Sequence, residues 1–535
     1  MARVFFIVFT ILFFSYSGFT QVTTGADSSM KLVEILHADS QGFKRVDTNE
    51  MQYLIGHVRV KQGTTLFECD SAVFNKNRRI IEAFGKVHIN DNDSVHTYSQ
   101  YLLYHVDTKI ANLRKKVKLT DGKTSLFSEE LQYDVNQKIG EYHTGGRVEN
   151  GTSVITSKDA VYYADLKDVY FKHNVNMTDP KYTLKTDSII YNTSTEIATF
   201  IAQTYIVDSA KRKVRTREGY YDLKNKKAVF TSRTVIEDGA TTVKGDRMRT
   251  NDSTGERIVE GNAVYTDTAQ GISVIAGRII ANGKEETFLA SLHPLMIIKQ
   301  ESDSIYITAD TLFSGRLSKL KMSKDSLSLK DTLRGKVVIS TDKKSDSADR
   351  FFQAYRHVKI FSDSLQAVSD SMFYSGLDSV FQLFNDPVVW SQQNQVTGDT
   401  IYLYTKNKKA DRLFVFENGL LISKARENMY NQIRGNRLNG YFTDGVIDNM
   451  RARGNAESIY YIEDDNKLLV GVNKASGDII DMRFVNKELN RVVFINDVKG
   501  TMYPVTQLPE TEKQLRGFNW RDNIRPKTKF ELFGN

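Results

Sequence analysis

The chain has 535 residues, 40% hydrophobic and 26% charged, an ordinary balance for a folded protein. Its formal net charge of +8, from 73 basic and 65 acidic residues, is mild for this length. Together with an export signal it argues against nucleic acid as a partner and leaves an anionic lipid or glycolipid surface as the better match. A single cysteine, Cys69, excludes an intrachain disulfide and a cysteine-based zinc site. It reads as a small apolar packing residue rather than a reactive thiol. Six prolines in 535 residues suit a chain committed to continuous ladders, because proline has no N–H to donate there.

Residues 1–20 read as a signal peptide. Arg3 gives the positive end, Val4 to Phe14 is apolar apart from Thr10, and Ser15, Ser17, Gly18 and Thr20 follow. The apolar run is too short to span a bilayer, and cleavage is expected near Thr20–Gln21. No later stretch approaches the roughly 18 apolar residues of a membrane helix.

Residues 21–315 carry a repeat of about thirty residues. An acidic or amide anchor recurs at Asp70, Gln100, Glu130, Asp159, Asp187, Glu218 and Asp246. An aromatic follows most anchors, as Phe74, Tyr104, Tyr133, Tyr162 or Tyr163, Tyr191 and Tyr221. Each anchor is expected to open a short strand. A second element, Gly-x-Val-x-apolar, lies between anchors, as Gly56-His57-Val58-Arg59-Val60 and Gly85-Lys86-Val87-His88-Ile89. Lys116-Val117-Lys118-Leu119 and Gly146-Arg147-Val148 continue it, and Gly261-Asn262-Ala263 recurs as Gly454-Asn455-Ala456. Within these elements the apolar period is two, which puts one set of side chains inside and the other in water. Each unit then holds two or three short strands joined by tight turns such as Asn75-Lys76-Asn77 and Lys224-Asn225-Lys226. No 3.6-residue apolar stripe is sustained, so helices are expected to be few.

Residues 316–350 are rich in Lys, Ser and Asp and read as a polar loop or insertion, with Gly335 to Ile339 as a candidate strand. A second, more divergent array follows over 351–505, with anchors at Asp370, Asp399, Asn436 and Asp478. Residues 506–535, with Phe518, Trp520, Phe530 and Phe533, read as a C-terminal tail or cap.

One such unit cannot bury its apolar face alone, whereas stacked neighbours can. The expected fold class is all-β: an elongated open β-jellyroll, a solenoid-like stack of strand units. Gly56 to Tyr104 and Gly146 to Tyr191 carry a resemblance to the OstA-like family, which includes LptA-type periplasmic proteins and the N-terminal domain of LptD-type outer-membrane proteins. The resemblance extends over residues 30–315 and more weakly over 351–500. The chain departs from it in being much longer than one LptA-like domain and in lacking a closing series of barrel strands.

The resemblance implies a periplasmic protein, with outer-membrane association left open, that helps carry lipopolysaccharide along an apolar groove between two β-sheets. It also implies contact with the lipid A moiety and edge-strand pairing with other lipopolysaccharide-transport proteins. Val58, Val60, Val87, Ile89, Leu102, Tyr104, Val117, Leu119, Ile189 and Tyr191 are then the groove candidates. Arg114, Lys115, Lys116, Lys211, Arg212 and Lys213 are phosphate-contact candidates. The plainer reading of these basic clusters is solvated turns and protected edges. The inner face can likewise be a filled core, which would make the chain an exported scaffold or adhesin without a lipid ligand.

Catalysis finds no support in the sequence. The nine histidines are scattered without metal-ligand spacing, and there is no nucleophile elbow or phosphate-cradling glycine loop. His57 and His88 read as equivalent, outward-facing repeat positions. No enzyme activity, cofactor or metal is expected. Asp-Ser-apolar triplets such as Asp70-Ser71-Ala72 and Asp187-Ser188-Ile189 read as strand-entering turns.

Overall fold

The computed structural model describes residues 32–533 apart from 47, 300–303, 320–348, 407–408, 445, 465, 467 and 486–487. The signal peptide and the candidate strand at 335–339 lie outside the described residues. The chain is all-β. Among the described residues there is no α-helix, only short 3-10 turns, most of them after Tyr503. The strands fall into two compact units. The first runs to Gly151 and takes back Asp159–Asp165, and the second holds Thr152–Lys158 and the chain from Leu166 onward.

In the first unit, strands Asn49–Gln62, Thr65–Asn75, Ile80–Asp91, Val95–His105, Ile110–Thr120 and Thr124–Asp134 each pair antiparallel with the next. Every one of these ladders breaks near its middle: between Ile55 and Val58, Glu68 and Ser71, Phe84 and Val87, Tyr98 and Tyr101, Arg114 and Val117. The cause is a two-residue step in the left-handed region: Gly56-His57 (φ 78° and 44°), Gly85-Lys86 (72° and 40°), Lys115-Lys116 (66° and 53°). Such a step is a bulge that bends the strand. Each strand therefore serves two ladders, one on either side of the bend.

The anchors sit at these bends. Asp70 lies in the middle of Thr65–Asn75 beneath Gly85, where any Cβ would collide with its carboxylate; Asp39 stands in the same way beneath Gly56. Glycine is favoured there for two reasons, the positive φ and the close approach of the acid. The Asp39 backbone N–H donates to the Gly56 carbonyl at 3.0 Å, and its carboxylate meets His57 Nδ1 at 2.8 Å. That bond chiefly holds the Asp39 carboxyl below its ordinary 3.8.

Asp159 opens strand Asp159–Tyr163 as expected, but at Asp70, Gln100 and Glu130 the expectation that an anchor opens a strand and that Gly-x-Val forms a separate element is corrected. Both mark one bend, seen on consecutive long strands. The left-handed step interrupts the alternation, so one bent strand reads as two short ones. It also corrects the pairing of His57 with His88. His57 occupies the bend, where its counterpart is Lys86, whereas His88 is the counterpart of Arg59. Arg59 and His88 both reach Glu68, each at 3.1 Å.

The second unit uses the same bend. Asp246 holds Asn262 at 2.7 Å and Arg233 at 2.6 Å, Asp310 faces His357 at 3.1 Å, and Asp399 takes Asn418 at 3.1 Å. Thr311–Arg316 pairs directly with Arg350–Phe361, so the ladder passes the polar stretch without interruption. Beyond it the strands lengthen, as Lys409–Arg426, Met429–Thr443, Val446–Glu463 and Leu469–Val485. Cys69 is buried at the first unit's bend, and burial, then the Asp70 charge, pushes its thiol up to about 11.

Candidate binding interior

The inward face follows from the bend. After the left-handed step the alternation restarts, so Val58 and Val60, Val87 and Ile89, Val117 and Leu119 turn inward together. All ten groove candidates face the interior, and none is more than 3% exposed. Eight of them lie in the first unit; Ile189 and Tyr191 lie in the second. Burying a side chain of this size contributes about 1.5–3 kcal/mol.

The next position is polar: Gln62 and Asp91 end their strands buried, and half-buried Asp121 follows strand Ile110–Thr120. These residues tie the two sides of the bend together. Tyr104 donates its phenol proton to Gln62 Oε1 at 2.6 Å, Tyr133 to Asp91 Oδ2 at 3.0 Å, and Tyr162 to Asp121 Oδ2 at 3.1 Å. Gln62 Nε2 also donates to the Val106 carbonyl at 3.1 Å, and Thr65 donates to Asp91 Oδ1 at 3.3 Å. Burial and the Asp91 charge push the Tyr133 phenol up, which keeps it a donor. Each phenol reaches a partner 42, 42 and 41 residues earlier in the chain. Sequence reasoning missed these ties, although the polar third position of the alternation was the signal.

The basic candidates separate. Arg114 is exposed and pairs with Glu130 at 3.5 Å, and Lys115 and Lys116 form an exposed bend. Lys116 also borders an open depression of about 570 Å³, with Lys118, Phe127, Ser128 and Arg147 among its lining residues. The Arg147 guanidinium stands 4.8 Å from the Phe127 ring centre. In the other cluster Lys211 and Lys213 are exposed, while Arg212 turns inward. It meets Asp208 at 2.9 Å and Asp252 at 3.2 Å, and Tyr221 donates to Asp252 at 3.2 Å. Arg212 is thus held by two carboxylates, whereas its neighbours face water, as period-two alternation dictates. Among the described residues no group of three or more His, Cys, Asp or Glu is placed to hold a metal ion.

A further polar set was also missed from sequence. Gln366, Gln395 and Gln432, each at most 5% exposed, hold the C-terminal segment. Gln432 donates to the Lys513 carbonyl and accepts from the Leu515 N–H, both at 2.8 Å. Gln395 donates to the Asn519 carbonyl at 2.7 Å and accepts from the Arg521 N–H at 2.8 Å. Arg525 Nε donates to Gln366 Oε1 at 2.9 Å.

No curated protein matches the sequence. Among solved structures, the chain is similar to LptH from Pseudomonas aeruginosa, described as the LptA homologous periplasmic component of the conserved lipopolysaccharide transport device. That match has 19% identity and a TM-score of 0.19, and covers 21% of this chain and 83% of that one. The family model for OstA-like protein matches residues 30–187 and 172–246, which contain the first unit's bent strands and the bends that follow. Over that part of its length, less than half of the chain, the sequence is similar to the OstA-like family.

Proposed function

We propose that this protein binds lipopolysaccharide in the periplasm and helps carry it toward the outer membrane, the lipid A acyl chains lying between the two ladders of the bent strands. The observation that carries this reading is the coincidence of the OstA-like match with a mainly apolar inward stripe on consecutive strands. The role is that of a carrier rather than a catalyst. Because the stripe is buried, lipid enters by parting the two sides of the bend. That opens the Tyr104–Gln62, Tyr133–Asp91 and Tyr162–Asp121 bonds at about 1 kcal/mol each, and acyl-chain burial repays it. Lys115, Lys116 and the depression beside Phe127 are placed to meet anionic groups outside the interior. The strand Ser40–Val46 pairs with Asn49–Gln62 and carries Phe43 at 64% exposure, which suits strand addition by another transport protein.

The filled interior favours a second reading, an exported scaffold or adhesin with no lipid ligand. Native mass spectrometry of the protein purified from its own envelope, with lipid extraction, separates the two. Lipopolysaccharide adducts are expected. A lipid-free mass that also fails to take up added lipopolysaccharide favours the scaffold.

A further inference from the structure

In the first unit the hairpin between strands Ile80–Asp91 and Val95–His105 is tied across the bend. Tyr133, on the third strand after that hairpin, donates its phenol proton to Asp91 at 3.0 Å. The second unit repeats the layout with one change. Its hairpin joins Val388–Ser391 to Asn394–Thr397, with Ser391 opposite Asn394. On the strands that follow, Leu403, Leu413 and Gly440 share a row, as Tyr104, Ala111 and Tyr133 do in the first unit. Backbone bonds fix the match. The Thr405 N–H donates to the Ser379 carbonyl at 2.9 Å, two residues past Leu403, as the Val106 N–H donates to the Arg79 carbonyl at 3.0 Å, two past Tyr104. The place of Tyr133 is thus taken by Gly440. A Cβ there would stand 3.2 Å from the Met450 methyl, so a flexible thioether side chain, not a phenol, lies beside that position.

Asn394 faces inward, on the side of the sheet opposite to Gln395. Two residues on, Val396 shares an inward row with Val389, Leu421, Ile433 and Ser458. The four apolar members are at most 5% exposed. Asn394 is 2% exposed, and among the described residues neither its amide nitrogen nor its oxygen has a hydrogen-bond partner. The Ser458 hydroxyl, at the far end of the row, is likewise buried without a partner. Such groups are costly and call for an explanation. A carboxamide that lacks both an acceptor and a donor is complementary to another amide, which offers an N–H and a C=O together. The apolar row beside it suits a hydrocarbon chain.

We infer that this inward wall is a second lipid seat, specific for an amide-linked acyl chain. The ligand's amide pairs with Asn394, and its chain runs along Val396, Leu421 and Ile433 toward Ser458. The inference rests on the lipid-carrier reading and deepens it. It names the linkage of the chain, and it places the seat beyond residues 172–246, the later stretch that matches the OstA-like model. As in the first unit, the two sides of the bend part to admit the chain, but no phenol at the Tyr133 place has to be released. Farther along, Tyr460 reaches the Leu489 carbonyl only at 3.5 Å.

The test compares the full chain with Asn394→Leu and with Asn394→Ala, which removes the amide without adding bulk. The probes are N-decanoylglucosamine and 6-O-decanoylglucose, which carry the same chain on an amide or an ester. Isothermal titration calorimetry reads affinity, circular dichroism reads the sheets, and a lipopolysaccharide photocross-link at position 102 reports the first unit separately. The wild-type chain is expected to bind the amide several-fold more tightly than the ester, because a site built for an N–H rejects the analogue lacking it. Both variants should keep the β signal and bind the two probes alike. Equal affinities in the wild-type chain, or a preference that survives in both variants, overturn the seat even if lipopolysaccharide cross-links at 102. Loss of the β signal in both variants makes Asn394 part of the structural core and also overturns it. A preference lost in both variants, with no cross-link at 102, keeps the seat and removes the lipid path of the first unit.

Discussion

Gln62 and Gln432 are both buried amides on bent strands, but Gln62 faces inward and Gln432 faces the outer side of the sheet, and the two regions are closed differently. Around Gln62 the fold closes on itself: the phenols of Tyr104, Tyr133 and Tyr162 reach back to Gln62, Asp91 and Asp121. Around Gln432 the closure is supplied by a segment that joins no ladder. The first closure is woven into the strands on the inner side of the bend, and the second is a cover laid on the outer face. The inward ties bridge the two sides of the bend, whereas the outer cover makes no ladder bond with the sheet.

The sharpest break of this comparison is a pair of deletions. Tyr133→Ala removes a wholly buried ring and leaves Asp91 without its phenol. It should lower the stability of the first unit by about 3–5 kcal/mol in denaturant titration. Leu515→Asp should loosen the C-terminal segment and leave the β signal of the second unit in place. If the two variants unfold their regions alike, the distinction fails.

Next in size is the bend. Gly85→Ala places a Cβ against the Asp70 carboxylate at a φ of 72°, with an expected loss of about 1–3 kcal/mol. Lys116→Gly, at the corresponding bend with a φ of 53°, should change stability by less than about 1 kcal/mol, since it relieves the same strain. Thermal melts of the two variants give the contrast directly. Tyr133→Phe keeps the packing and deletes only the hydrogen bond, and should cost about 1–2 kcal/mol.

The smallest effect is in acid. The Arg233 bond, then the Asn262 bond, holds the Asp246 carboxyl below its ordinary 3.8. A carboxyl depressed on folding stabilises above its unfolded value, and that stabilisation is lost as pH falls through the folded one. Stability should therefore decline below about pH 4, and Asp246→Asn should flatten that part of the profile. An unchanged acid profile in Asp246→Asn would mean that this corner does not contribute.

Much of this was legible in the sequence. Val58 with Val60 and Val87 with Ile89 give the inward face by period two alone, and the proline-poor chain gives an all-β fold. Asp70 and Gly85 were visible as recurring marks, but their meaning was not. A left-handed step is a backbone event, and it resets the alternation so that one long strand looks like two. Arg212 between Lys211 and Lys213 reads as one basic patch until side-chain direction separates them. Gln395 and Gln432 were illegible because their partners in the tail lie 81 to 126 residues away in the chain, on backbone groups that carry no side-chain signature.

The most direct test of the lipid interior is site-specific photocross-linking at adjacent residues of strand Val95–His105. A photoreactive phenylalanine analogue is placed at Leu102, which faces inward and is 0% exposed, or at Leu103, which faces outward. Lipopolysaccharide cross-linked at 102 and not at 103 is the predicted result. Cross-linking at 103 alone, or at neither position, contradicts a lipid path between the two sides of the bend.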